Sequence, residues 1–223
     1  MVSGQQIING CAQKQEALAE LTRGARLQTY GRGELLWDIG EIHGFVYILN
    51  AGMVGLYSLS RHGREIRLYT FHEGEMVGFL SHGEVSDTCG YAKVLVDATV
   101  ASRLSYQHIL ELMSTSLRVT SYVCTLISRQ LGESHRIIEE LAFYEIKTRL
   151  ARTLIRLALS SEERIVLATH AELAAIIGTR QEEVTKVLSH FRASGLVASA
   201  PHRRGLRVLD LERLSSIRNE PNM

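Results

Sequence analysis

The sequence predicts an α+β chain in three consecutive parts: an N-terminal rolled β domain, a long helix, and a C-terminal pair of short helices closed by a β-hairpin. Three observations predict it. Between Leu27 and Leu104, short β-rich runs are punctuated by glycines at 31, 33, 40, 44, 52, 55, 63, 74, 78, 83 and 90, and many short strands with regular turns mean a closed or rolled antiparallel domain. From about Tyr106 the glycines nearly vanish and apolar residues recur at alternating three and four, the spacing of a helix with one apolar seam. Around Gly178 two capping-box starts flank a residue able to take positive φ, which reads as two helices and a tight turn. The parts are assigned to 1–105, 106–144 and 145–223.

In chain order, residues up to about Arg26 read as an outer helix, with Ala17, Leu18, Leu21 and Ala25 on one side. The β-rich runs LLWDI, FVYIL, GLYSL, REIRLYTF, MVGFL and TVASRL come next, with Arg61-His62-Gly63-Arg64 as a hairpin turn. The seam of the long helix occupies 110, 113, 117, 120, 124, 127, 131, 134, 138 and 141, and is apolar except at Thr120 and Ser134. It packs either on its own domain or on a second copy of itself. A parallel dimer is favoured, with Leu117, Cys124, Ile127, Leu131 and Ile138 as its seam, because one helix-turn-helix reads only half a site. LAFYEIKTRLARTLIRLAL is a further helical stretch, so the domain boundary is expected near 141–145.

Thr169 with Glu172 opens the first short helix, and Leu173, Ala174 and Ile177 share its buried face. Thr179 with Glu182 opens the second, which runs to about Ala193 and buries Val184, Val187, Leu188 and Phe191. Its polar face carries Gln181, Glu182, Thr185 and Lys186. Gln pairs with adenine, Glu accepts from cytosine N4, Lys donates to guanine, and Thr meets a phosphate or a thymine methyl. A plain αα-hairpin with a solvated face has the same pattern, but the segment C-terminal to it favours DNA. Gly195-Leu196-Val197 and Leu206-Arg207-Val208-Leu209 read as two strands joined by the basic turn PHRRG, a wing suited to phosphates with His202, Arg203, Arg204 and Arg207 at or near its tip. Thr169, Thr179, Arg180, Arg203 and Arg204 are the candidate backbone contacts.

Composition sets the outer limits. The 223 residues suit two modest domains, and 45% hydrophobic content describes a well-cored chain. No apolar run reaches the roughly 20 residues of a membrane span, and the N-terminus lacks a signal peptide's pattern, so the cytoplasm is expected and no membrane contact. A formal net charge of +1 confines any DNA affinity to local clusters such as the wing. Cys11, Cys89 and Cys124 are odd in number and widely spaced, without disulfide or zinc spacing. There is no phosphate loop, nucleophile elbow or metal-ligand spacing, so an enzyme is the least supported class.

The order of parts resembles the family of the catabolite activator protein and the fumarate and nitrate reduction regulator. FVYILNAGMVGLYSLSRHGREIRLYTFHEGEMVGF resembles the family's central β-roll run, LAFYEIKTRLA its hinge, and Thr169 to Leu209 its winged helix, so the likeness covers nearly all of the chain from Leu27. It implies an N-terminal β-roll of the cyclic-nucleotide-binding-like double-stranded β-helix type, a long dimerisation helix and a C-terminal winged helix-turn-helix. It also implies a homodimeric transcription regulator that takes a roughly palindromic double-stranded DNA site and RNA polymerase as partners. Gln181, Glu182, Thr185 and Lys186 match the family's base-contacting positions. Glu182 is the usual glutamate and also the N3 residue of its capping box; both roles stay open. Lys186 stands where arginine is common and Gln181 where arginine or valine is found, which implies a different operator.

The sensor departs from the cyclic-AMP-binding members. Their glycine-glutamate pair is here Gly78-Phe79, and their arginine-serine pair is Thr88-Cys89. A buried phosphate would lack its counter-charge, which argues against cyclic AMP, although Ser134 and His135 match the family's second pair of pocket contacts. Cys11 alone near the N-terminus excludes a four-cysteine iron-sulfur cluster. Three chemistries remain open: haem ligated by His82, in a loop near the axial histidine of carbon-monoxide-sensing members; a thiol at Cys89 or Cys124; and an apolar ligand lined by Phe79, Tyr91 and Leu131. The competing class is a cyclic-nucleotide-type binding module that acts through protein contacts without DNA.

Overall fold

The computed structural model describes residues 4–39, 44–78, 90–161, 163–200 and 205–218. After helix α1 (Gly4–Leu21) come strands β1 (Arg26–Tyr30), β2 (Leu35–Trp37), β3 (Phe45–Ala51), β4 (Val54–Leu59), β5 (Glu65–Phe71), β6 (Met76–Val77), β7 (Gly90–Val94) and β8 (Thr99–Ser105). They form two four-stranded sheets, ordered β1-β8-β3-β6 and β2-β7-β4-β5. β8 pairs antiparallel with both β1 and β3. Period-two alternation gives β3 two buried faces. Tyr47 and Leu49 join the interior of the roll with Tyr30, Trp37, Val54, Phe71 and Val77. Val46 and Ile48 face a second cluster with Ala17, Leu21, Ile109, Val119, Val123 and Leu126. A strand buried on both sides reads as an unbroken apolar run, as FVYIL does. Between β3 and β4, Gly52 has φ +93°, and a Cβ there would sit 2.3 Å from Oγ1 of Thr99, so only glycine fits this turn.

The next helices differ from the expectation of one helix from Tyr106. α2 (Tyr106–Thr115) and α3 (Leu117–Phe143) are separated at Ser116, whose backbone is extended. The Ser114-Thr115-Ser116 run explains the break, since short hydroxyl side chains compete for backbone groups and favour caps. The Ser116 N–H bonds to the Leu112 carbonyl, its Oγ accepts from the Val119 N–H at 3.4 Å, and Thr120 Oγ1 donates to the Met113 carbonyl at 2.6 Å. Thr120, a polar break in the seam, is thereby satisfied. Positions 110 and 113 of the seam therefore lie on α2, and the rest on α3.

α4 (Ile146–Leu159), β9 (Ile165–Val166), α5 (His170–Ile177), α6 (Gln181–Ala193), β10 (Val197–Ser199), β11 (Leu206–Val208) and α7 (Leu211–Arg218) complete the chain. The three short strands form one sheet, β10-β11-β9. Leu150, Leu154, Leu173, Val184, Leu188, Phe191, Val208 and Leu214 share the core of this part. β1, β7, β9 and α7 were not anticipated from sequence, and α1 ends at Leu21 where a helix to about Arg26 was expected. β7 and β9 are too short or too glycine-rich to show a period, and α7 is polar on most of its surface. The chain divides into two compact units, Met1–Tyr57 with Tyr69–Glu133, and Ser58–Leu68 with Ser134–Met223. Among the described residues no helix is long and apolar enough to cross a membrane.

Candidate DNA-reading surface and candidate sensor

The helix pair around Gly178 is built from its caps. Thr169 Oγ1 accepts from the Glu172 N–H at 3.1 Å, and Glu172 Oε2 accepts from the Thr169 N–H at 2.7 Å, a complete capping box. Gly178 closes α5 in the left-handed region, at φ 66° and ψ 45°. The Thr179 N–H returns to the Ala174 carbonyl at 3.0 Å, so this residue completes the exit of α5 and is buried. The second capping box therefore does not form. Arg180 is the N-cap of α6, its carbonyl accepting the first helical bond from Val184 at 3.3 Å. Glu182 is thus freed from a capping role, and buried Thr179 does not fit the phosphate contact expected of it. Arg180 and Thr169 are exposed.

Beneath the turn, Arg149 of α4 donates through Nη1 to the Ile177 carbonyl at 2.5 Å, placing a cation at the negative end of α5. Burial pushes the Arg149 guanidinium down from its ordinary value, and Glu140 opposes the shift. Glu140 is buried between Arg136 at 2.7 Å and Arg152 at 3.4 Å. On α6, Val184, Leu188 and Phe191 are fully buried, while Gln181, Glu182, Thr185 and Lys186 are all exposed on the other side. Lys186 Nζ lies 2.8 Å from Glu183 Oε1, and that hydrogen bond holds the ammonium above its ordinary range. Thr185 Oγ1 donates to the Gln181 carbonyl at 3.0 Å and lies 2.9 Å from Nδ1 of His170. Nothing in the sequence had singled out His170.

In the wing, β10 and β11 pair with Val197 opposite Val208 and Ser199 opposite Leu206, and the Ala200 N–H closes the hairpin on the Gly205 carbonyl at 3.0 Å. His202, Arg203 and Arg204 lie outside the described residues. Arg207 lies in the returning strand β11 as expected, 4.0 Å from Glu163.

Of the candidate effector residues, Phe79, His82 and Cys89 lie outside the described residues. Tyr91 is buried and stacks on Tyr57, with ring centroids 5.2 Å apart and Lys93 Nζ 4.7 Å above the Tyr57 ring. Leu131, Ser134 and His135 are exposed on α3. The seam positions Leu117, Cys124 and Ile138 are exposed as well, and Ile127 is half-buried beside the second core cluster. The inward face of α3 is instead Val119, Tyr122, Val123 and Leu126. A polar cluster that sequence reasoning missed joins the roll to this helix. Glu75, buried in the turn before β6, accepts from Tyr69 Oη at 3.2 Å, from the His72 N–H at 2.8 Å and from Arg129 at 2.5 Å. Beside it Tyr122 Oη donates to the Gly74 carbonyl. Burial first and the Glu75 charge second raise both phenols, Tyr122 to about 12.

Known proteins match this arrangement. Residues 27–116 match a cyclic nucleotide-binding domain and residues 148–217 a Crp-like helix-turn-helix domain. The chain is 27% identical over 200 residues to the cyclic AMP receptor protein of Thermus thermophilus, covering 90% of this chain and 91% of that relative. It is 28% identical over 181 residues to the CRP-like protein Clp of Xanthomonas campestris, covering 76% and 77%. The solved structure of the c-di-GMP responsive global regulator CLP of Xanthomonas campestris shares the fold, with a TM-score of 0.78 at 22% identity over 88% of this chain and 99% of that one. With a roll of this kind succeeded by a helix-turn-helix of this kind, the chain belongs to the CRP/FNR family of DNA-binding transcription regulators.

Proposed function

We propose that the chain is a homodimeric, sequence-specific DNA-binding regulator, controlled by a signal sensed in its β-roll. The observation that carries the proposal is the two-sided α6: Val184, Leu188 and Phe191 anchor it, and Gln181, Glu182, Thr185 and Lys186 are left outward with chemistry suited to base edges. Glu182, with no capping bond to make, is available to accept from cytosine. Arg180, Thr169 and the wing residues Arg203 and Arg204 are the proposed phosphate contacts. The outward apolar residues of α3 support pairing with a second copy, which would set two reading helices one DNA turn apart over a roughly palindromic site. Such a regulator acts in the cytoplasm beside RNA polymerase. The Thermus relative is named for cyclic AMP and the Xanthomonas structure for c-di-GMP. For this chain a ligand other than cyclic AMP is proposed, because Phe79 and Thr88-Cys89 stand where the family's ribose- and phosphate-binding pairs fall.

The test is operator selection from randomised duplexes by the purified full-length protein, then affinity measured across a salt series. Enrichment of a two-fold-symmetric site, with affinity falling steeply as salt rises, is the expected result. Gln181→Ala is expected to alter one base preference per half-site. Selection of no sequence at all, or a Gln181→Ala protein with unchanged preference and affinity, overturns the assignment; the former leaves a module that works through protein contacts.

A further inference from the structure

We infer that His170, the first residue of α5, is a positioning residue for base reading: it locks the Thr185 hydroxyl so that this side chain meets DNA only as a hydrogen-bond acceptor and a methyl group. The inference rests on the DNA-reading proposal and goes beyond it, by assigning a residue outside the reading helix and a base preference to one of its positions.

The argument is one of proton inventory. A threonine hydroxyl carries one proton and two acceptor sites. Thr185 Oγ1 lies 3.0 Å from the Gln181 carbonyl, which can only accept, so the hydroxyl proton is committed to that bond. For both contacts to be hydrogen bonds at once, the 2.9 Å contact to His170 runs the other way, from the tautomer whose Nδ1–H donates to Oγ1. One lone pair of Thr185 remains outward, together with its methyl group. A back-bond to the preceding turn is common for threonine in helices and leaves the rotamer free to change when a better acceptor arrives. A second bond from another helix removes that freedom, because rotation would break both. His170 is well placed to supply it: the capping box at Thr169 and Glu172 fixes the first turn of α5, and the His170 ring makes no other hydrogen bond among the described residues.

The consequence is chemical. Held in this way, Thr185 can accept from the amino group of adenine or cytosine, or pack its methyl on that of thymine. It has no proton to offer guanine, whose major-groove edge presents the N7 and O6 acceptors. One position in each half-site is therefore expected to disfavour guanine, on account of a histidine fifteen residues away from the threonine that meets it.

The experiment is operator selection by the full-length wild type, His170→Ala, His170→Gln, Thr185→Val and the His170→Ala/Thr185→Val pair, with thermal unfolding measured alongside. In His170→Ala, guanine at the disfavoured position is expected to rise about tenfold, of the order a single base contact carries, with the preference assigned to Gln181 unchanged. His170→Gln, whose side-chain amide still donates, is expected to restore the wild-type pattern. In the Thr185→Val background the histidine substitution should change nothing further. A His170→Ala protein with the same base preferences at every position overturns the inference and leaves the DNA-reading proposal standing. So does one that loses thermal stability and affinity evenly over all sequences, since that is a tie between two helices and no more. A wild type that enriches no sequence overturns both.

Discussion

Oε1 of Glu75, in the turn that leads into β6, lies 2.5 Å from Nη1 of Arg129 on α3, and the carboxylate is almost wholly buried while the guanidinium is half exposed. The pair ties the roll to the long helix at the point where Tyr69 and the His72 amide also donate to the carboxylate. Removing a partner from a fully buried pair costs about 3–5 kcal/mol. Arg129 is open to water on one side, so Arg129→Met is expected to destabilise by a smaller amount, about 2 kcal/mol. Glu75→Gln, which leaves no buried charge, is expected to cost less than Arg129→Met. Urea unfolding of the two variants gives the order, and a larger loss in Glu75→Gln would contradict it.

Alkaline pH probes the same junction. Burial holds the Tyr122 phenol in its neutral form up to about 12, against an ordinary value near 10. Tyr30 is raised to about 12 as well, by burial and then by Tyr47. A group whose folded value is raised contributes stability that is intact below the unfolded value and is lost as pH climbs through the folded one. Stability is therefore expected to decline from about pH 10 to about pH 12. In Tyr122→Phe the starting stability is lower, through loss of the bond to Gly74, but the decline is shallower. Urea midpoints taken across that range read both, and equal slopes in the two proteins would remove Tyr122 from the account.

The glycine-punctuated β runs, the two faces of α6 and the seam of α3 were all legible, because each is a pattern written in neighbouring residues. What stayed hidden depends on residues far apart. Nothing local pairs Glu75 with Arg129, or His170 with Thr185. The break at Ser116 shows the same limit from the other side, since the three-and-four spacing runs straight through it and only the Ser-Thr-Ser run marks the cap. Thr179 and Arg180 compete for one role, and the bond from the Thr179 amide back to Ala174 decides between them. Of the candidate site, the exposure of Gln181, Glu182, Thr185 and Lys186 came from helical period; the bond that constrains Thr185 did not.

The turn between α5 and α6 admits glycine for two reasons. Gly178 lies in the left-handed region at φ 66°, and a Cβ there would come within 2.9 Å of Cδ2 of Leu141. The backbone alone disfavours a side chain by about 1–2 kcal/mol, and the leucine methyl can yield only in part. Gly178→Ala is expected to lower stability by about that amount and to weaken DNA binding further by tilting α6 against α5. Gly178→Asn, a residue that tolerates left-handed backbone, is expected to be milder for the backbone but no smaller at Leu141. Urea unfolding with DNA affinity separates the two costs, and an alanine variant as stable as wild type would refute the strain argument.

The outward face of α3 gives the sharpest contrast. Leu131 and Ile138 are 54% and 62% exposed in a single chain, whereas Val123 on the same helix is 1% exposed. Apolar residues repeated at seam spacing and left in water are what a partner helix would cover. Leu131→Glu combined with Ile138→Glu is therefore expected to yield a folded monomer with unchanged helical content, while Val123→Glu is expected to unfold the N-terminal part. A parallel, in-register pair also makes each seam residue meet its own counterpart. Cys124 is an exposed free cysteine on that seam. With Cys11 and Cys89 replaced by serine, copper phenanthroline should oxidise the two Cys124 thiols to one disulfide, which requires their Cα atoms within about 7 Å. The product is a reducible dimer band, absent in Cys124→Ser. Sedimentation of the charge-substituted protein and the cross-linking gel answer different questions: a wild type that sediments as a monomer removes the dimer, and a dimer that does not cross-link removes the parallel register.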